Sequence, residues 1–290
     1  MLDKIFLKYL VKLSVFTLTV WSFISGLLQG LLGYIDPATF GVKQALVPVL
    51  PLFLACLLNA SVVLWITQKT SLSEGKLGAL IFVVVFGVMF FLPQIETVYF
   101  NNALQIPLGV IGATLISGIG VGLVSAKIAV QFRRERTPAR NVSFKTANRM
   151  MKIIVLAVLY VILYVVFGYY IAWQSPTVRQ FYSGSKSLLP FWAHLRQQEM
   201  GLFVLQFVRG MLWTLIGYIL AVNLPLASRA ERAVVVGLAL SIGLAFPILV
   251  PNPYMPWAVR RMHFVELLIE NFLFGVIVVW FFDTKLVSAG

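Results

Sequence analysis

An all-α, polytopic integral membrane bundle of about eight transmembrane helices is the fold the sequence predicts. Three observations predict it. The 290 residues are 60% hydrophobic and only 11% charged, with a mean hydropathy of +0.92. A soluble domain carries about 25% charged residues, so this chain has too few charges to cover a water-facing surface, and lipid must cover much of it. Apolar segments recur at lengths near the ~20 residues that cross a bilayer. Positive charges crowd into alternate connections between those segments.

The N-terminus, "MLDKIFLKYLVKLSVFTLTVWSFISGLLQG", sets lysines before a long apolar run and shows no small-x-small cleavage site, which predicts an uncleaved first helix from Leu10 to Gly33. The next three spans are expected at Leu46–Thr67, Leu77–Leu92 and Ile106–Ala126, the third stopped by Pro93 in "FFLP". The second four are expected at Met151–Trp173, Met200–Leu224, Ala233–Val250 and Met262–Phe282, the seventh ending near Pro247 in "AFP". Between the fifth and sixth spans, "SPTVRQFY" offers Ser175 as N-cap and Pro176 at the first helical position. "PFWAHLRQQEMG" offers Phe191 and Trp192 to a headgroup layer. The chain is one transmembrane domain over 1–290.

With eight alternating helices, Lys4, Lys8, Lys12, Lys69, Lys76, Arg229, Arg232 and the loop "KIAVQFRRERTPARNVSFKTANRMMK" fall on one side. The positive-inside rule makes that side cytoplasmic. The expected location is the bacterial cytoplasmic (inner) membrane with both termini cytoplasmic. The opposite connections include "YIDPATFGVKQA", with Asp36 and Lys43, and "PQIETVYFNNALQ", with Glu96.

A shared rhythm suggests a parallel 4+4 repeat with halves 1–130 and 145–290. "GYIDPATFGVKQ" corresponds to "YYIAWQSPTVRQ", and "GVMFFLPQIE" to "IGLAFPILVP". In the fourth span, Gly109, Ala113 and Ser117 form one small-residue row, and Gly118, Gly122 and Ala126 form another. Such rows favour a close helix–helix seam.

Charges inside hydrocarbon cost several kcal/mol unless paired or hydrated. Arg209 in the sixth span and Glu270 in the eighth each lie about nine residues from their outer starts, roughly 13–14 Å deep, which predicts that they pair. At about 100° per residue, His263, Glu266 and Glu270 share one helical stripe. Arg260 flanks it, and Gln206 lies one turn from Arg209. An outward-facing polar funnel is expected, with Arg260, Arg261 and His263 at its mouth and Arg209 with Glu270 at its floor. Glu96, Tyr99, Asn101, Asn102, Arg179, Lys186, His194, Arg196 and Glu199 come from neighbouring loops.

No P-loop, dinucleotide fingerprint, serine-hydrolase elbow or HExxH motif is present. "GIGVG" lies mid-span without a βαβ context. With one cysteine, Cys56, and two histidines, no metal and no cofactor are expected, although His194 could complete a site with "HFVE". No soluble basic module suits nucleic acid. The expected partners are the lipid bilayer and an anionic lipid or small anionic solute. The functional expectation is binding or transport of a small anionic or amphiphilic ligand. A membrane-embedded enzyme acting on a lipid-linked substrate is the alternative, as is an assembly subunit that contacts a membrane-protein partner.

Overall fold

The computed structural model of the protein describes residues 3–34, 48–134, 148–188, 193 and 199–282. All regular structure among them is helical, and eight helices are long and apolar enough to cross a membrane. The first four spans are α1 (Lys4–Leu31), α2 (Val49–Lys69), α3 (Glu74–Phe86) continued by α4 (Leu92–Tyr99), and α6 (Leu108–Arg134). The short α5 (Asn101–Leu104) leads into α6. The second four are α7 (Arg149–Tyr170), α9 (Glu199–Val222), α10 (Arg229–Ala245) and α11 (Trp257–Phe281), with α8 (Pro176–Ser183) between α7 and α9.

The third span departs from expectation. It does not stop at Pro93 but runs on to Tyr99. A π turn over Gly87–Phe91 widens the helix, and the Leu92 N–H reaches back five residues to the Gly87 carbonyl. Proline cannot donate an N–H, and its ring crowds the carbonyl four residues earlier. Here that carbonyl belongs to Met89, inside the widened turn. Pro93 therefore opens α4 instead of ending the span, and Glu96 lies in a spanning helix rather than in a loop. The seventh span does break where expected: α10 ends at Ala245, and Phe246–Leu249 tighten into a 3-10 turn. α8 begins at Pro176 after Ser175, as the sequence suggests, although the Ser175 side chain makes no capping bond.

The same neighbour pairs recur in both halves. α1 packs on α2 and α6, and α3 and α2 pack on α6; correspondingly, α7 packs on α9 and α11, and α10 and α9 pack on α11. α9 also packs on α10, a contact with no comparable α2–α3 counterpart. The halves meet chiefly where α2 lies on α10 and on the turn that follows it, and where α10 lies on the Gly87–Phe91 turn.

Basic residues gather at one end of the bundle. Lys12 donates to Gln131 at 2.7 Å, Arg133 to the Thr70 carbonyl at 2.9 Å, and Lys152 to the Phe281 carbonyl at 3.1 Å. Glu231 accepts from Lys69 at 2.9 Å and from the Trp65 indole at 3.0 Å, while Ser228 caps α10 through the Glu231 N–H. Asp36, Lys43, most of the central basic loop, Phe191, Trp192, His194 and Arg196 lie outside the described residues.

Close seams use glycine where a side chain would collide. Glycines of α6 face two neighbours: a Cβ on Gly118 would meet the Phe90 side chain of the π turn at 2.4 Å and one on Gly122 would meet Phe82 of α3 at 2.9 Å, whereas one on Gly120 would meet Ile24 of α1 at 2.7 Å. In the second half, a Cβ on Gly275 would lie 2.7 Å from the Gly237 Cα. That neighbour is backbone and cannot rotate away, so Gly275→Val must separate α10 from α11. We expect Gly275→Val to cost at least ~2 kcal/mol, read as a lowered melting temperature in detergent. Gly112→Ala, which meets open space, should leave melting unchanged or raise it.

Candidate functional site

At the end opposite the basic cluster, one cavity of about 1390 Å³ lies between the two halves. It exceeds the roughly 300–1,000 Å³ of ordinary small-molecule sites. Trp21, Leu52, Met89, Phe90, Val110 and Ile111 from the first half make one wall apolar. The ionisable lining comes mostly from the second half: Arg209 on α9, and His263, Glu266 and Glu270 on α11, with Glu96 of α4 reaching in from the first. Along α1 the cavity meets the bundle surface, where Ser22 and Gly26 are both lining and exposed.

Local structure places each group. Gln206 and Arg209 are three residues apart on α9, so they share a face, and both are fully buried. Gly210 lets α9 approach α7 closely: a Cβ there would stand 2.9 Å from the Ala157 carbonyl oxygen. That contact sets Arg209 beside the α7 tyrosines. The stripe predicted on α11 is present, with Glu266 and Glu270 buried and both lining the cavity with His263. Gly168 of α7 leaves room for the Glu266 carboxylate, whose Oε1 would be 3.4 Å from a Cβ at that position.

The partner of Arg209 is Glu96, not Glu270. Arg209 Nη2 lies 2.8 Å from Glu96 Oε2. Its N–H is not aimed at that oxygen, so the contact is an ion pair rather than a hydrogen bond. Arg209 Nη1 donates to Gln206 Oε1 at 2.6 Å, and Gln206 Nε2 donates to Glu96 Oε1 at 3.2 Å, which closes a triangle. Depth matching identified the right guanidinium but the wrong carboxylate, because Glu96 enters the span only when the helix continues through Pro93. Glu270 shares the cavity with Arg209, yet its Oε1 is buried with no hydrogen-bond partner.

His263 Nδ1 and Glu266 Oε2 are 2.7 Å apart, and His263 Nε2 is buried without a partner. The Tyr182 ring of α8 stands edge-on to the imidazole, centroids 5.6 Å apart. Burial raises the Tyr182 phenol above its ordinary range, and the charges of Glu96 and Glu266 push it the same way. The hydroxyl therefore stays neutral at physiological pH.

Arg260 is not at a funnel mouth. It is buried, donates to the Leu249 carbonyl at 3.0 Å and lies over the Trp257 ring. It thus secures the 3-10 turn after α10, whose carbonyls lack helical partners. Arg261 is exposed and Arg260 is turned away, and neither lines the cavity. Arg179 is likewise structural, bonding the carbonyls of Trp173 and Lys186 at 2.5 and 2.6 Å.

Sequence reasoning missed Tyr160, Tyr164 and Gly168, which line the cavity from α7, and Ser22, Ser25 and Gln29, which line it from α1. Both sets carry a signal, since each recurs at helical spacing on one face. Among the described residues, no group of three His, Cys, Asp or Glu side chains is arranged to hold a metal ion. No family model matches the chain, and no curated protein or solved structure is significantly similar to it.

The ion pair and the unpartnered carboxylate should respond oppositely to neutralisation. Glu96→Gln leaves the Arg209 charge buried and unmatched, and we expect a loss of ~3–5 kcal/mol, partly restored in Glu96→Gln/Arg209→Met. Glu270→Gln replaces a buried carboxyl that no ion pair holds and should leave stability unchanged or higher. Thermal unfolding of the purified variants in one detergent measures all three.

Proposed function

We propose that this multi-pass membrane protein binds an amphiphilic ligand in the cavity, with the polar head at the Glu270–Arg209 floor and the apolar part along the first-half wall. The observation that carries this reading is the division of one large cavity into an apolar side and an ionisable floor with a buried, unpartnered carboxylate. Buried polar groups are normally satisfied, and a bound molecule would satisfy this one. The cavity's contact with the bundle surface beside α1 suits entry of a molecule already dissolved in the bilayer. Of the two ligand classes the sequence suggested, the amphiphile fits better than a small anion. The floor carries Glu96, Glu266 and Glu270 against Arg209 and His263, and the only arginine among them is already paired.

A second reading rests on a different observation. A carboxylate 2.7 Å from His263 Nδ1 leaves Nε2 available, the arrangement by which a positioned imidazole acts as a general base. On this reading the protein is an enzyme that acts on an amphiphilic, lipid-linked substrate held in the same cavity. His263→Gln would then abolish turnover of the amphiphile recovered from the protein while leaving its binding intact.

By the positive-inside rule the basic end faces the cytoplasm and the cavity opens toward the opposite leaflet. In spheroplasts of a bacterial expression host, with buried Cys56 replaced by alanine, an impermeant thiol reagent should label Ser187→Cys but not Lys76→Cys. The reverse pattern overturns the orientation. For the ligand, native mass spectrometry of the detergent-purified protein should find a co-purifying amphiphile. Thr114→Trp, which fills part of the cavity, should remove most of it. Retention of the full amount in that variant would place the ligand elsewhere.

A further inference from the structure

The balance of charges at the cavity floor says more about the ligand than its shape does. Three carboxylates line the cavity: Glu96, Glu266 and Glu270. Glu96 is spent on Arg209 at 2.8 Å, and Glu266 on His263 at 2.7 Å. Glu270 remains. It is 1% exposed, its Oε1 has no hydrogen-bond partner, and no ion pair reaches it from any described residue. An isolated carboxylate taken out of water is costly unless a cation or a proton joins it.

The groups around Glu270 favour a cation. Tyr160 and Tyr164 line the cavity with it, and aromatic faces attract ammonium groups. Tyr160 is held in place by an edge contact to Phe274, with centroids 5.1 Å apart, and by stacking on Trp213. Arg209 also lines the cavity, but its charge is matched by Glu96 at 2.8 Å and its Nη1 is taken by Gln206. An anionic head would meet a floor with more carboxylates than cations. Resting on the amphiphile reading, we infer that the ligand carries a protonated amine head, which pairs with Glu270 and lies against the tyrosines of α7.

The test compares three single-chain probes of equal length: dodecylammonium, dodecanoate and dodecanol. Each is titrated into the full-length protein in neutral detergent, and occupancy is scored by native mass spectrometry. Dodecylammonium should half-saturate the protein at a concentration about tenfold or more below either other probe. Glu270→Gln should abolish that preference without lowering the melting temperature, and Glu270→Asp should keep part of it. If dodecanol binds as tightly as the amine, or if Glu270→Gln retains the preference, the cation inference fails while amphiphile binding stands. Tighter binding of dodecanoate overturns the inference in favour of an anionic head. If none of the probes binds, the amphiphile reading itself falls, and this inference with it. An amine that binds with the preference intact in Thr114→Trp is held outside the cavity, which also overturns the inference.

Discussion

A guanidinium 1% exposed in the interior of a spanning bundle constrains everything around it. Arg209 cannot give up its proton and cannot reach water, so the fold must bring it a carboxylate. That carboxylate comes from the other half of the chain, from Glu96 on α4, and Gln206 bridges the two. Each supporting feature follows from this demand. The π turn at Gly87–Phe91 lets the third span continue past Pro93 and carry Glu96 into the bundle. Gly210 lets α9 lie against α7 closely enough for Arg209 to reach the inter-half space. The pair is therefore a joint between the halves as well as a means of neutralising charge. Breaking one side of such a joint is far more damaging than replacing both.

With that joint satisfied, the cavity beside it has a definite character. The first half offers mainly rings and aliphatic chains, and the second offers a histidine–glutamate pair and a carboxylate with no ion partner. Stability alone would fill such a space or pair every group in it. Departures from that rule concentrate at functional positions. Unsatisfied atoms of Arg209, His263 and Glu270 all occur around this one cavity.

Much of the architecture was legible because it depends on local chemistry. Hydropathy marks eight spans, Pro176 starts α8, Pro247 ends α10, and the small residues of α6 mark a seam. Helical periodicity puts His263, Glu266 and Glu270 on one stripe, and the structure turns that stripe into the cavity. Pro93 and Pro247 carry the same local signal yet have different outcomes. One helix absorbs its proline in a π turn, and the other gives way to a 3-10 turn.

The sequence by itself determined the solvent in which this chain folds, the number of crossings, the clustering of basic residues in alternate connections and the stripe on α11. These follow from composition and from the fixed rise and period of a helix. Only the tertiary structure decided which carboxylate answers Arg209, that Arg260 holds a turn instead of facing the cavity, and that tyrosines of α7 close the site. The reason is physical. Depth and helical face restrict a buried charge to a handful of candidate partners, but the choice among them depends on which helices are neighbours. Neighbours are set by the shapes of seams, some beside the charge, such as Gly210–Ala157, and some far from it, such as Gly237–Gly275, and depth and helical face alone do not encode those shapes.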